Sequence, residues 1–154
     1  MENKPGHTDV WRLEHAGLSV EINHFGVDTG MNDGKGRWTY YVFIHESKTK
    51  KFNEIWLPAI VKPWSLGDNS MLYCSYDYYR SDLLNSAYWH GGITYYSKHG
   101  EAEGFRCIQV GCDFGHLYDM ERGHNYKLED ILVEARETAE QLAKVLEVAN
   151  DNII

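Results

Sequence analysis

The end of the chain constrains the fold most. Leu128, Ile131, Leu132, Ala135, Ala139, Leu142, Leu146 and Ala149 recur at spacings of three and four, while Glu129, Glu137, Glu140, Lys144 and Glu147 fall on other faces. That period predicts an amphipathic helix over residues 128–149, about 33 Å long. Asn125 is the expected N-cap, and Glu129 and Asp130 lie in the first turn, where the helix dipole favours acids. An apolar stripe this long has to be covered, and the remainder of the chain offers strands to cover it. Residues 17–25 alternate, with Leu18, Val20 and Ile22 on one face and Ser19, Glu21 and Asn23 on the other. Period 2 with β-branched residues predicts a half-buried strand. Residues 11–15 read as a short strand before it, residues 38–45 as a buried central strand, and residues 54–57 as a short strand stopped by Pro58. Residues 26–36, with their glycines, read as a loop, and residues 80–85 as a turn or short helix. Residues 89–97 and 105–112 read as two strands of an antiparallel hairpin joined by the Gly-containing stretch 98–104. The expected architecture is α+β: a mainly antiparallel sheet covered by a long C-terminal amphipathic helix. Residues 1–154 form one expected domain, with residues 1–9 as a polar tail.

Composition narrows the partners. There are 23 acidic and 15 basic residues, a formal net charge of −8, and no basic cluster beyond Lys48-Thr49-Lys50-Lys51. A binder of long nucleic acid neutralises several phosphates with a basic face, so long nucleic acid is not an expected partner. A small anionic ligand in a locally positive pocket stays open. Cys74, Cys107 and Cys112 are odd in number and form no Cys-x-x-Cys pair, which argues against a disulfide framework and a Cys₄ zinc site and for a reducing cytoplasm. No apolar run approaches the roughly 18 residues of a membrane span, and the first residues lack the basic and apolar stretches of a signal peptide. Neither a membrane nor export is expected. The chain is rich in rings, with 11 Tyr, 5 Trp, 5 Phe and 8 His, and seven of the Tyr crowd into residues 73–96. Tyr combines a face for stacking with a hydroxyl for hydrogen bonding, although it is also simply a good strand residue. So many aromatics in a small domain suggest a homo-oligomer.

The candidate site is residues 90–119. With Ser97 opposite Phe105, Gly92 would face Val110 and His90 would face Cys112, bringing His90 and Asp113 to the same end of the hairpin. Gly91-Gly92 would then lie almost opposite Gly111, a bare patch that admits a ligand close to the sheet, unless the pair marks a bulge. Asp113, His116 and Asp119 are spaced by three and eclipse on one side of a 3₁₀-like turn. A carboxylate beside an imidazole orients a general base, tunes its pKa or helps bind a divalent metal. The structural alternative is that Asp113 or Asp119 caps a turn and His116 is held in a loop. The expected ligand-binding set is His90, Gly91, Gly92, Thr94, Tyr95, Asp113, His116 and Asp119. His90, Asp113 and His116 are the candidate catalytic groups, and His90, Asp113, His116 and Asp119 the candidate metal ligands should the site hold a metal. Neither His90 nor His116 is expected to fill the core, so their loss should leave stability nearly unchanged.

Three functions fit these residues. The first is a binding protein that holds a nucleotide-type small molecule without a cofactor, with Tyr side chains stacking on its base. The second is a metal-assisted or His-based hydrolase, such as a phosphodiesterase. The third is a protein inhibitor acting through its acidic surface. A Ser nucleophile elbow, a Gly-Lys-Ser/Thr phosphate loop and a catalytic Cys signature are all missing, which argues against covalent catalysis and NTP hydrolysis.

The run His90-Gly91-Gly92-Ile93-Thr94-Tyr95, followed by Gly111-Cys112-Asp113-x-x-His116-x-x-Asp119, resembles a group of small bacteriophage proteins. Their pattern is His-Gly-Gly-aliphatic-Thr, then Gly-aromatic-Asp-x-x-His-x-x-Asp; here Cys112 stands in the aromatic position. The likeness covers about 30 of 154 residues. It implies a phage protein working in the host cytoplasm. By analogy, it suggests counter-defence through binding or destroying a nucleotide immune signal.

Overall fold

The structure is a computed structural model and describes residues 8–25, 37–57, 81–114 and 126–149. Five antiparallel strands form one sheet: β1 (Thr8–His15), β2 (Leu18–Phe25), β3 (Arg37–His45), β4 (Tyr95–His99) and β5 (Cys107–Asp113), in the order β1-β2-β3-β5-β4. Among the described residues, three α-helical segments accompany them: α1 (Phe52–Ile55), α2 (Asp82–Asn85) and α3 (Leu128–Val145). The fold is therefore α+β, with α3 packed on the sheet, as the C-terminal periodicity requires. Among the described residues, no helix is long and apolar enough to cross a membrane.

Strand alternation decides which side chains meet α3. Leu18, Val20 and Ile22 of β2, Tyr40, Val42 and Ile44 of β3, and Ile108, Val110 and Cys112 of β5 are buried on the helix side. They meet Ile131, Ala135, Ala139, Leu142 and Leu146, all fully buried. Apolar burial on this scale, at roughly 25 cal/mol per Å², is the main stabilising term of such a layer pair. Asp130 accepts the Lys127 backbone N–H at 2.8 Å, so the N-cap is Lys127; Asn125 lies outside the described residues. α3 stops at Val145, short of the expected residue 149, where Glu147 takes a left-handed φ of 54°. Two residues from another part of the chain satisfy its last carbonyls: Thr49 Oγ1 donates to Leu146 O at 2.5 Å and Lys51 Nζ to Val145 O at 3.4 Å.

Three local expectations are corrected. Residues 54–57 are not a strand: Phe52 and Ile55, three apart, are both buried on one side of a helical turn closed by Trp56 N–H on Phe52 O. Residues 89–94 are not strand either. They form a turn, with Gly92 N–H on Trp89 O at 3.1 Å and φ of 73° at Gly91 and 95° at Gly92. Finally, Ser97 pairs with Gln109, not Phe105, a shift of four residues in hairpin register. Glu46 is the cause. Its carboxylate accepts from Gly104 N–H at 2.7 Å and from Arg106 Nη2 at 2.7 Å, which holds residues 104–106 in the connecting loop and leaves Phe105 81% exposed.

Candidate functional site

The turn at residues 88–90 lies against one flank of α3. Three polar residues on that flank, Glu134, Thr138 and Gln141, follow each other at spacings of four and three, and therefore share one line along the helix. Each bonds to the turn. Gln141 Oε1 accepts Tyr88 N–H at 2.7 Å, Thr138 Oγ1 donates to Tyr88 O at 2.5 Å, and Glu134 Oε1 accepts the Tyr88 hydroxyl at 2.5 Å. The same Glu134 oxygen pairs with His90 Nδ1 at 2.9 Å. A carboxylate only accepts, so Nδ1 carries the proton in this pair, the arrangement that fixes an imidazole's tautomer and orientation.

His90 is 4% exposed. Its ring stacks on Phe114 with centroids 3.6 Å apart, and Tyr126 stands edge-on to both rings at 5.9 and 4.9 Å. Beneath it a hydrogen-bond chain runs in one direction: His90 N–H to the Tyr40 hydroxyl at 3.3 Å, Tyr40 to Thr138 Oγ1 at 2.8 Å, and Thr138 onward to Tyr88 O. Cys112, opposite Tyr40 on β5, joins this layer. Burial pushes its thiol up to about 12 and raises the Tyr40 phenol as well, so both are neutral at pH 7.

The structure brings together only some of the expected residues. His90 and Asp113 do come to the same end of the hairpin, but on opposite faces. Asp113 pairs with Thr39 and neighbours Tyr41, whereas His90 meets Phe114 and Glu134 on the helix side. A pocket shared by His90 and Asp113 is thus replaced by a His90–Glu134 pair. Tyr95 joins Asp113 on the outer face, in edge contact with Tyr41 at 5.1 Å. Thr94 donates its N–H to Gly111 O at 3.0 Å, a ladder-like bond. The three glycines do not assemble into the expected bare patch: Tyr95 pairs with Gly111, and open space borders Gly92 but not Gly111. Gly91 and Gly92 supply left-handed turn conformations, and the space above Gly111 is taken by the Tyr41 ring and the Tyr40 carbonyl. His116 and Asp119 lie outside the described residues, as do Cys74 and the Tyr residues at 73–79. Among the described residues, no three His, Cys, Asp or Glu side chains converge as a metal site would require.

Two clefts matter. One of about 280 Å³ is lined by Tyr126, Asp130, Val133 and Glu134, so the residue that holds His90 also forms a cleft wall. The other, about 610 Å³, is larger and lies at the far end of α3 among Lys48, Lys50, Lys51 and Glu147. Some of its polar groups serve the fold: Thr49 and Lys51 cap the helix, and Lys51 also pairs with Glu147 at 3.0 Å. The smaller cleft is the better candidate because it adjoins the part-buried His90–Glu134 pair.

Sequence reading found His90, and Tyr88 as one of the Tyr cluster at residues 73–96, but missed Glu134, Thr138 and Tyr126. A signal for two of them existed. Glu134 and Thr138 are polar residues four apart in a helix whose neighbouring positions are Ile131, Ala135, Ala139 and Leu142. No protein-family model matches this chain, and no curated protein or solved structure matches it either.

Proposed function

We propose that this chain is a binding protein that sequesters a nucleotide-derived small molecule at the His90–Glu134 end of the sheet. The observation that carries the reading is that Glu134 is shared between a buried imidazole and the wall of a cleft with an aromatic side, Tyr126. Rigid rings and a fixed acceptor are what a site for a flat, polar ligand needs. At about 280 Å³, the cleft is at the small end for ligand sites and suits one base rather than a whole dinucleotide. The counter-defence role implied by the bacteriophage-like motif belongs to this same proposal, with the nucleotide immune signal as the ligand.

One observation favours a second reading at the same place. A carboxylate on His Nδ1 is how an imidazole is oriented as a general base, which suits a hydrolase. One experiment separates the two. The protein is incubated with a panel of cyclic dinucleotides and ADP-ribose derivatives, and the small molecules are chromatographed before and after heat denaturation. Intact ligand recovered only after heating supports sequestration. Altered ligand supports the hydrolase, and full recovery of every compound before heating contradicts both.

A further inference from the structure

We infer that the outer face of the sheet carries a site for a divalent cation of the Zn²⁺ class, held by His45, Cys107 and His99 and separate from the binding role proposed above. The register assembles the three. Cys107 of β5 stands directly opposite His45 of β3 on one side and His99 of β4 on the other. Residues directly opposite in antiparallel strands point to the same face, with Cβ atoms about 4.5–5.5 Å apart. Cys107 alternates with the helix-side Ile108, so the row lies on the outer face, with Tyr95 and Asp113. Its backbone is pinned one residue further along. Glu46 N–H donates to Arg106 O at 2.9 Å, and Arg106 Nη2 pairs with the Glu46 carboxylate at 2.7 Å. Cys107 is 7% exposed, while the imidazoles on both sides of it are exposed.

A thiolate between two imidazoles is a donor set for Zn²⁺, which takes sulfur and nitrogen ligands, and not for Mg²⁺ or Ca²⁺, which take oxygen. One pair already stands near the required spacing. Cys107 Sγ and His45 Nε2 are 4.0 Å apart. Tetrahedral bonds of about 2.3 Å to sulfur and 2.0–2.1 Å to nitrogen place two such ligands roughly 3.5 Å from each other. His99 is the ligand that has to turn. Its Nε2 meets Gln109 Oε1 at 2.8 Å, one step along the same face, and the three donor atoms do not converge in the structure. The His99 side chain is exposed, and exposed side chains change rotamer on the order of nanoseconds, so the Gln109 contact is open to exchange for a metal bond. On binding, the Cys107 S–H bond breaks and its proton leaves to solvent. The thiolate and two neutral imidazoles each give an electron pair to the cation, and no oxidation state changes. Water completes the four ligands. The ion then ties β3, β5 and β4 together across the row, so its binding free energy adds to the stability of the sheet.

The test is titration of the full, reduced chain with Zn²⁺ and, as a spectroscopic substitute, with Co²⁺. Zn²⁺ should raise Tm, and Mg²⁺ should leave it unchanged. Co²⁺ should give the near-ultraviolet absorption of a cobalt–thiolate bond, kept in Cys74→Ser and lost in Cys107→Ser. His45→Gln and His99→Gln change exposed side chains, so both variants should fold with a Tm close to that of the parent even if Cys107→Ser does not. Each should weaken Zn²⁺ binding at least about tenfold in calorimetry. A parent chain that binds no Zn²⁺, an equal rise in Tm with Mg²⁺, or a cobalt–thiolate band that survives Cys107→Ser would overturn the site. So would either histidine variant binding Zn²⁺ as tightly as the parent.

Discussion

His90 shows how burial changes what a histidine is for. From sequence it reads as a surface ligand whose removal leaves stability intact. In the structure it is a core side chain, stacked on Phe114 and tied to Glu134. His90→Ala should therefore cost about 2–3 kcal/mol, because it removes a stacked ring and leaves Glu134 short of one donor. Urea denaturation measures this, and a loss under about 0.5 kcal/mol would contradict the packing described. Binding experiments on this variant must be made well below its unfolding midpoint. Gly111 gives the complementary case. A Cβ there would collide with the Tyr40 carbonyl and the Tyr41 ring, so Gly111→Ala should destabilise by about 1–3 kcal/mol. Sequence suggested that Gly111 makes room for a ligand; a cross-strand tyrosine uses the room instead. Nothing in a single sequence tells which neighbour lies over a strand glycine, because that neighbour, Tyr41, is 70 positions away.

Elements were legible in proportion to their length and regularity. α3 and β2 follow from periodicity, since each carries enough repeats to fix its buried face, whereas β3 is legible only as a short apolar run, and its single buried face emerges from the structure. The hairpin of β4 and β5 was legible as a pair but not in register. Its register depends on Glu46 holding Gly104 and Arg106, a contact made from the end of another strand. The site failed for the same kind of reason: Glu134 reaches His90 across 44 positions, and no local pattern links them. Two predictions belong to this scale. Leu142→Ala should cost about 2–5 kcal/mol, given complete burial of Leu142 against the sheet, whereas Val133→Ala on the exposed side of α3 should change stability by less than about 0.5 kcal/mol. Equal effects in chemical denaturation would contradict the orientation of α3. The Glu46 contact also predicts an acid response. Arg106 and the Gly104 N–H hold the Glu46 carboxyl down at about 2, from an ordinary 4.5, so its contribution is complete above pH 4.5 and is lost as pH falls toward 2. Hydrogen exchange at the Gly104 amide should quicken over that interval beyond the intrinsic trend, and no change would contradict the assignment.

At the scale of the whole molecule, a neutral polar layer lies between sheet and helix. Burial pushes the Cys112 thiol up to about 12 from 9.0 and raises the Tyr40 phenol in that layer, and beside α1 it pushes the Tyr96 phenol up to about 12 from 10.0. Folded pKa values above the unfolded ones mean that the folded state holds its protons longer. The stability they contribute is complete below pH 9 and is lost as pH rises from 9 toward 12. Denaturation midpoints should thus fall on the alkaline side, and a midpoint as high at pH 10.5 as at pH 8 would contradict the layer. The central claim is that the seam joining Tyr88 and His90 to Glu134 serves a ligand as well as the fold. The most direct measurement is amide and side-chain chemical-shift mapping by NMR during titration with guanosine 5′-monophosphate. The account predicts shifts concentrated at residues 88–90, Phe114, Tyr126, Asp130 and Glu134. Shifts confined to the lysine cleft at residues 46–53, or none at millimolar nucleotide, would contradict it.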